Sequence, residues 1–517
     1  MAIAPANQDS DGAIHPGVPY DVWMQQQAQA DPSGIDVPSA EYNYMAPKWN
    51  RIQTVLDGTD AMRLARKTYL PQHEYESDPA YNERIAVTTL DNWLSRTLET
   101  LVGKAYRDPP KFDKLPDAFA DIAKDADGTG RSAIDVSQAF FREAVAKQWA
   151  WVYVDQTKGQ PRPDGQPRTL ADDTADGIRP VWRIICPEDV IFSMGTVVGG
   201  HTVWQQIRIK ECTMEPDGTF GEQLVERIRV LRPGSWALYK KVKTKNNQKP
   251  KYVFEDGGYT GLAVIPIVQF KIDGDKPPLE DLAHLNVTHF QSTSDQRSIL
   301  TTSRFAMLAA SGAPEVDTAA GDKPLVVGPK RWLTMPNPEG RFYYVEHTGA
   351  AINSGDNDLK RLEDRMSSYG AEFLKKQPGR ASATGRALDS SEAQSLLQTW
   401  VRQFAEVLMQ VLRITAMWKQ MDPNEDLGTV LFDLKPDLEE RDNTELQNFD
   451  RARDRGDISR EAWVEEMQAR NLFRSNYDAE LDAERLAQEL PPGTAIGGFL
   501  FKEPPAPTPV RPQRPMA

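Results

Sequence analysis

Two cysteines, Cys186 and Cys212, are too few to brace a chain of 517 residues. A disulfide framework is excluded, and the pair suits a reducing cytoplasm. Neither belongs to a Cys-x-x-Cys, so both are expected as buried structural thiols. The chain also lacks any apolar run of about 18 residues, which leaves no candidate membrane helix. Met1 to Asp11 show neither the basic start nor the apolar run of a signal peptide. Positive charge is in deficit, with 61 Lys and Arg against 75 Asp and Glu and a net charge of -14. That balance argues against sequence-reading capture of nucleic acid by the whole surface. It is compatible with a protein that lets DNA pass without gripping it.

Enzyme signatures are mostly missing too. Gly379-Arg-Ala-Ser-Ala-Thr-Gly385-Arg386 resembles a Walker A loop at a glance. Its glycines stand one residue too far apart, and Arg386-Ala387 replaces the Lys-Ser/Thr that would hold phosphate and magnesium. The histidines are scattered. His284 and His289 lie about 140° apart around a helix, badly placed to share a metal, and are expected as polar helix surface. Asp125-Ala-Asp127-Gly128 resembles part of a calcium loop. Ala123 and Ile134 occupy its first and twelfth ligand positions, so a turn is expected instead. No catalytic residue, cofactor or metal is assigned, and the chain is expected not to be an enzyme.

What is present is a soluble α+β chain, 39% hydrophobic and 26% charged, long enough for two to four domains. Residues 1–45 are rich in Ala, Gln, Pro, Asp and Ser without a helical or strand period, and read as a mobile arm. His73 to Asn82 reads as an exposed polar stretch, followed by a helix from Ile85 to Ala105 that Asp108-Pro-Pro110 stops. Val136 to Trp149 reads as helix, and Trp151 to Val154 as strand. Strands are then expected at Val181–Ile185, Val190–Ser193, Thr202–Lys210, Leu224–Leu231, Ser235–Val242, Tyr252–Phe254 and Val264–Ile272. Lys240, Lys241, Lys243, Lys245, Lys249 and Lys251 flank Asn246-Asn247. They read as a solubilised hairpin tip in preference to a nucleic-acid contact.

The most informative stretch runs from Leu279 to Trp418. A first helix reaches from Leu279 to about Ala309, roughly 45 Å at ~1.5 Å per residue. Its ends are apolar, but its middle, Asn286-Val-Thr-His-Phe-Gln-Ser-Thr-Ser-Asp-Gln296, is a polar waist. Such a helix suits bridging between parts or packing on copies of itself. A β-like linker follows from Ser311 to Ile352. A second helix, from Asn353 to about Lys375, carries a narrow seam of Leu359, Leu362, Met366, Tyr369 and Phe373. The loop from Gln377 to Leu388, with the lysines before it, supplies Lys375, Lys376, Arg380 and Arg386 and no acid, with glycines that let it move. A third helix, Asp389 to Trp418, is strongly amphipathic, with Asp389 and Glu392 placed as a capping box. Gly456-Asp-Ile-Ser459 starts a further helix carrying Trp463, Met467 and Leu472. Pro491 to Ala517 holds eight prolines and reads as a flexible tail.

This order of parts resembles the portal proteins of tailed bacteriophages. The matching residues include Tyr69-Leu-Pro71 through Ser77-Asp-Pro-Ala-Tyr81-Asn-Glu-Arg84, and Thr97-Leu-Glu-Thr-Leu-Val-Gly103 followed by Arg107-Asp-Pro-Pro110. Pro278-Leu-Glu-Asp-Leu-Ala-His-Leu-Asn286 with His289-Phe-Gln-Ser292 is similar to the start of a stem helix. Val327-Gly-Pro329, Tyr344-Val-Glu-His-Thr-Gly-Ala350 and Asp389-Ser-Ser-Glu392 also fit. The resemblance spans roughly residues 60 to 490. It implies a wing at 46–278, stem helices at 279–310 and 353–375 and a clip at 311–352. A tunnel loop follows at 376–388, a long wing helix at 389–421, a crown at 422–490 and a tail at 491–517. It implies a homo-oligomeric ring of twelve at one capsid vertex, in the virion after assembly in the host cytoplasm. Double-stranded DNA would pass without sequence preference. Terminase and then a head-tail adaptor would dock on the clip, where Lys323, Lys330 and Arg331 are the candidate contacts. Major capsid protein and scaffolding protein are further implied partners. Lys375, Lys376, Arg380 and Arg386 would stand near the DNA. The alternative is a phage DNA-processing enzyme, a nuclease or terminase subunit.

Overall fold

The computed structural model describes residues 7–8, 14–15, 19–157, 159, 172, 175–198, 201–242, 251–304, 307–311, 339–345, 349–372, 396–423, 425–432, 450–459, 463–464 and 467. Helices and strands are mixed along the chain, so the α+β expectation holds. The chain divides into two units, Met1–Leu434 and Lys435–Ala517.

The first unit opens with a short antiparallel pair, β1 (Asn7–Gln8) and β2 (Ile14–His15). Then come two helices, α1 (Tyr20–Gln29) and α2 (Ala40–Leu56). From residue 20 on they correct the reading of a period-free arm. Helix α2 turns Met45, Trp49, Ile52 and Val55 inward, and the Ser39 hydroxyl caps it by accepting from Tyr42 N. Helix α1 buries only Trp23, so its one aromatic anchor is lost in a polar composition. The Tyr20 hydroxyl donates to the Gly257 carbonyl at 3.2 Å, and Arg208 donates to the Gly34 and Ile35 carbonyls at 2.9 and 2.8 Å. These bonds tie residues 20–37 to the sheet.

Helix α3 (Thr59–Ala65) leads through a 3-10 turn to α4 (Asp78–Val87) and α5 (Trp93–Ala105). The single helix expected from Ile85 to Ala105 is therefore two. Thr88 folds its hydroxyl back onto the Arg84 carbonyl at 2.7 Å, and Asn92 caps α5 by accepting from Ser95 N at 2.9 Å. The stretch expected as exposed, His73 to Asn82, contains the Ser77 cap of α4 and the buried Tyr81. After β3 (Lys111–Asp113) and α6 (Ala120–Lys124), α7 (Ala133–Lys147) starts on a Ser132–Asp135 capping box. Gln148, at φ +79, turns the chain out of α7 and into β4 (Trp149–Gln156).

The β-rich section follows the expected order: β5 (Pro180–Ile185), β6 (Val190–Val198), β7 (His201–Asp217), β8 (Gly221–Arg232), β9 (Ser235–Val242), β10 (Lys251–Tyr259) and β11 (Ile267–Lys271). Strands β6 to β10 form an antiparallel meander, and β11-β4-β5 a separate three-stranded sheet. Strand β4 is buried on both faces. Ala150, Val152 and Val154 enter the main core, while Trp149, Trp151 and Tyr153 enter a second cluster with Trp49, Ile207 and Leu231.

The last part of this unit holds α8 (Glu280–Arg304), β12 (Met307–Ser311), β13 (Arg341–Val345), α9 (Ala350–Glu372), α10 (Leu396–Trp418) and β14 (Thr429–Leu431). Helix α8 stops short of the expected Ala309, because Met307 to Ser311 pair antiparallel with Arg341 to Val345. The expected seam of α10 is buried from Leu397 to Thr415. Phe404, at its middle, lies 5.0 to 5.3 Å from the ring centroids of Phe270, Phe141 and Phe140. Burying a side chain of this size contributes about 1.5–3 kcal/mol. Asp389 and Glu392 lie outside the described residues.

In the second unit residues 450–455 are helical, and Gly456 takes φ +78. Trp463 N donates to the Ser459 carbonyl at 3.1 Å, as expected of a helix that starts at Ser459.

Candidate functional site

The stretch that carries the functional expectation is the antiparallel-strand excursion held between α8 and α9. Helix α8 begins on four fully buried apolar side chains, Leu279, Leu282, Ala283 and Phe290. Between them the polar waist is not left for a neighbouring copy. Asn286 is 0% exposed: its Oδ1 accepts from Leu94 N at 3.0 Å, and its Nδ2 donates to the Asp91 carbonyl at 2.8 Å. One amide thus satisfies both sides of the turn into α5. Gln291 donates to the Tyr69 carbonyl at 2.7 Å. Buried Ser294 accepts from Arg84 Nη1 at 3.3 Å, and its hydroxyl lies 2.9 Å from that of Thr88.

Arg84 is the hub of this seat. It is 6% exposed and grips Glu76 bidentately, with Nε and Nη2 each 2.7 Å from a carboxylate oxygen. Its Nη2 also donates to the Pro71 carbonyl at 2.8 Å. The Arg84 hydrogen bonds hold the Glu76 carboxyl below the usual glutamate range against the opposing effect of burial. The loop 71–77 is thereby tied to the waist of α8. Of the two readings of the waist, bridging between parts is the one these bonds support: its polar side chains serve backbone turns elsewhere in the same chain.

Further along, α8 meets α9 through a polar crossing. Gln296 donates to the Ile352 carbonyl at 2.9 Å and to Asp356 Oδ1 at 2.8 Å. A Cβ at Gly355 would lie 2.0 Å from Gln296 Oε1, so glycine leaves the room that this side-chain amide occupies. Below the crossing Leu362 and Met366 are buried and Tyr369 donates to the Pro278 carbonyl at 3.2 Å. The expected seam of α9 is present through Tyr369; Phe373 lies outside the described residues. His289, expected as surface, is buried with Nε2 3.4 Å from Glu363 Oε1. His284 is exposed and meets Arg51 at 2.8 Å. The rest of α9 is hydrophilic: Asp358, Arg361, Asp364, Arg365 and Ser368 are exposed. Helix α9 therefore offers one face to its own chain and a charged face of both signs to something else.

Lys323, Lys330, Arg331, Lys375, Lys376, Arg380 and Arg386 all lie outside the described residues, so the geometry neither brings them together nor separates them. The other sequence candidates are placed. Asp125 Oδ1 accepts from Gly128 N and Gly130 N at 2.8 and 3.0 Å. Asp127 accepts from Thr129 N at 2.9 Å and pairs with Arg131 at 2.6 Å. Both carboxylates serve the turn. Lys240 pairs with Glu215 at 3.1 Å and Lys241 with Glu226 at 2.6 Å, which favours the hairpin reading for those two lysines. Cys186 is half-buried, and burial, with Glu143 beside it, pushes its thiol up to about 12. Cys212 is exposed, against expectation: its stretch of β7 pairs only with β8 among the described residues. Among the described residues no group of three or more His, Cys, Asp or Glu could hold a metal, and no helix is long and apolar enough to cross a membrane.

Residues 278–419, from the start of α8 through α10, match the model of a family described as a domain of unknown function, DUF4055. No curated protein matches the chain. Among solved structures, the chain is similar at 10% identity to a chain in the neck of an empty gene transfer agent particle computed with C6 symmetry. That likeness covers 77% of this chain and 90% of the other, with a TM-score of 0.32. A chain in the virion of a native gene transfer agent particle is similar at 9% identity, over 76% of this chain and 94% of the other, again with a TM-score of 0.32. At that TM-score the likeness assigns neither fold nor function.

Proposed function

We propose that this chain is the portal subunit of a tailed-phage-like particle, a ring component through which double-stranded DNA is packaged and ejected. One observation carries the reading. Two long helices, α8 and α9, are packed on each other through a polar crossing, rooted in a large α+β body, and joined by an excursion that begins and ends in one antiparallel strand pair. That is the order of stem, clip and stem on which the sequence resemblance rests. The charged outer face of α9 fits a channel wall, where mixed charge gives passing phosphates no continuous cationic track to bind. In this reading the clip docks terminase and then an adaptor through Lys323, Lys330 and Arg331. The loop 376–388 reaches the channel, with Arg380 and Arg386 as its cations and Lys375 and Lys376 at its base.

The competing reading is a DNA-processing enzyme. We expect the purified chain, with duplex DNA, magnesium and ATP, to leave both DNA and ATP intact. Robust ATP turnover or metal-dependent cleavage, abolished by a point change in this chain, would favour the enzyme instead. Replacing Arg380 and Arg386 together by Ala is expected to leave assembly unchanged and to lower DNA packaging or retention, most at low salt where screening is weaker. Normal packaging by that variant across salt concentrations would remove the loop from the account.

A further inference from the structure

Among the described residues, the sheet carries an arm that its own chain does not cover. Strand β7 pairs with β6 only as far as Ile209, and β8 pairs with β9 only from Arg227. Beyond those points, Glu211–Asp217 and Gly221–Glu226 pair only with each other among the described residues. The result is a two-stranded ribbon of roughly 20 Å at ~3.4 Å per residue. Two-stranded ribbons are marginal alone in water and gain stability by packing.

The tip of this ribbon is apolar. Phe220, in the turn, is 99% exposed, and the cross-strand partners Met214 and Leu224 are 57% and 61% exposed. An exposed aromatic beside an exposed aliphatic pair marks an interaction surface more than a solvated turn. The tip also carries free negative charge. Glu211, Glu215 and Glu226 on the same ribbon pair with Arg229, Arg227 and Lys241. Asp217 and Glu222 at the tip make no ion pair with a described residue.

A surface of the opposite chemistry lies on another part of the same unit. At the end of α3, Leu64 is 82% exposed, and Arg66 and Lys67 beside it are exposed. Both cations lie against the buried Tyr81 ring, 5.3 and 5.8 Å from its centroid, and Arg66 is further held by Asn82 at 2.7 Å. Neither pairs with a described carboxylate. The patch is therefore apolar at its centre, cationic at its rim and held in place before any partner arrives.

We propose that the β7–β8 ribbon of one copy docks on the Leu64–Lys67 patch of the next copy, with Phe220, Met214 and Leu224 covering Leu64 and with Glu222, on the same face as Met214 and Leu224, facing Arg66 and Lys67. The choice of a second copy rests on the ring reading above and on this charge complementarity. Two unlike surfaces joined in this way make a head-to-tail contact, the kind that closes into rings.

The chain supplies its own reporter. Side chains two residues apart share a face of a strand, so Cys212 flanks Met214 on the docking face. Half-buried Cys186, its thiol held protonated, is a poor competitor for a maleimide. Light and heavy isotope-labelled chains are assembled together, treated with a carbodiimide and digested, and the maleimide rate at Cys212 is measured on assembled and unassembled fractions. The expected result is amide links from Glu222 to Lys67 that join light to heavy chains. Alkylation of Cys212 is expected to be about tenfold slower or more in the assembly, because the thiol must wait for the contact to open. Glu222→Lys is expected to weaken assembly and Lys67→Glu, added to it, to restore it, with the circular dichroism of each variant unchanged. An assembly in which Cys212 reacts at the free-chain rate, or in which Glu222 links elsewhere, overturns the docking proposal and leaves the ring standing. Failure to associate at any concentration overturns both.

Discussion

Arg84 shows how one side chain can set the position of a helix more than two hundred residues away. Its guanidinium is buried, doubly bonded to Glu76 and within reach of Ser294 on α8. Removing it would leave the half-buried Glu76 carboxylate without its counter-charge and lose two charge-assisted hydrogen bonds, each worth about 1.5–3 kcal/mol before solvent screening reduces it. Arg84→Met is therefore expected to lower the melting temperature markedly, measured by calorimetry near neutral pH. The pH dependence has a definite sign. The folded-state value of Glu76 is depressed, so its contribution is fully present above the ordinary glutamate range of about 4 and is lost as pH falls through the lower folded value. Melting temperature should fall more steeply below pH 4.5 or so in the native chain than in Arg84→Met. Equal slopes would show that the pair is not coupled to folding. Little of this was legible in the sequence. Nothing local distinguishes an arginine that pairs eight residues back from one on a solvated face, and the partners Pro71, Thr88 and Ser294 are brought together only by the fold.

At the level of elements, periodicity told more than composition. The seams of α9 and α10 and the order of strands β5 to β11 could be read because apolar spacing repeats within each element. Helix α1 could not, since one tryptophan makes no pattern. The polar waist of α8 was visible, but its meaning was not, because a polar residue that completes a distant turn looks like one that faces water. The α8–α9 crossing gives the sharpest test at this scale. Gly355→Ala should push Gln296 from its two bonds and cost about 1–3 kcal/mol, as overpacking does. In a Gln296→Ala background the obstacle is gone, and the same change should cost far less, since alanine is the better helix former by about 1 kcal/mol. Denaturant unfolding of the four chains closes that cycle. Additive effects would mean that the glycine is not there for the glutamine.

For the whole molecule, the intrachain seating of α8 changes the reason for expecting an assembly. The waist is bonded within its own chain, so the proposed ring rests on other surfaces: the ribbon tip and the patch beside Leu64. These are exposed, unlike one another and attached to well-buried elements, which suits repeated head-to-tail contacts better than a symmetric dimer. The residues expected near DNA and at the docking end fall outside the described residues, so their roles rest on the resemblance and on local charge. The most direct test of the account is negative-stain imaging of the purified chain, paired with native mass spectrometry across concentration and salt. The account predicts closed rings with a central channel, twelvefold in the particle and twelve or a neighbouring number when assembled outside it. Monomers alone under every condition, with no ring in any image, would contradict it.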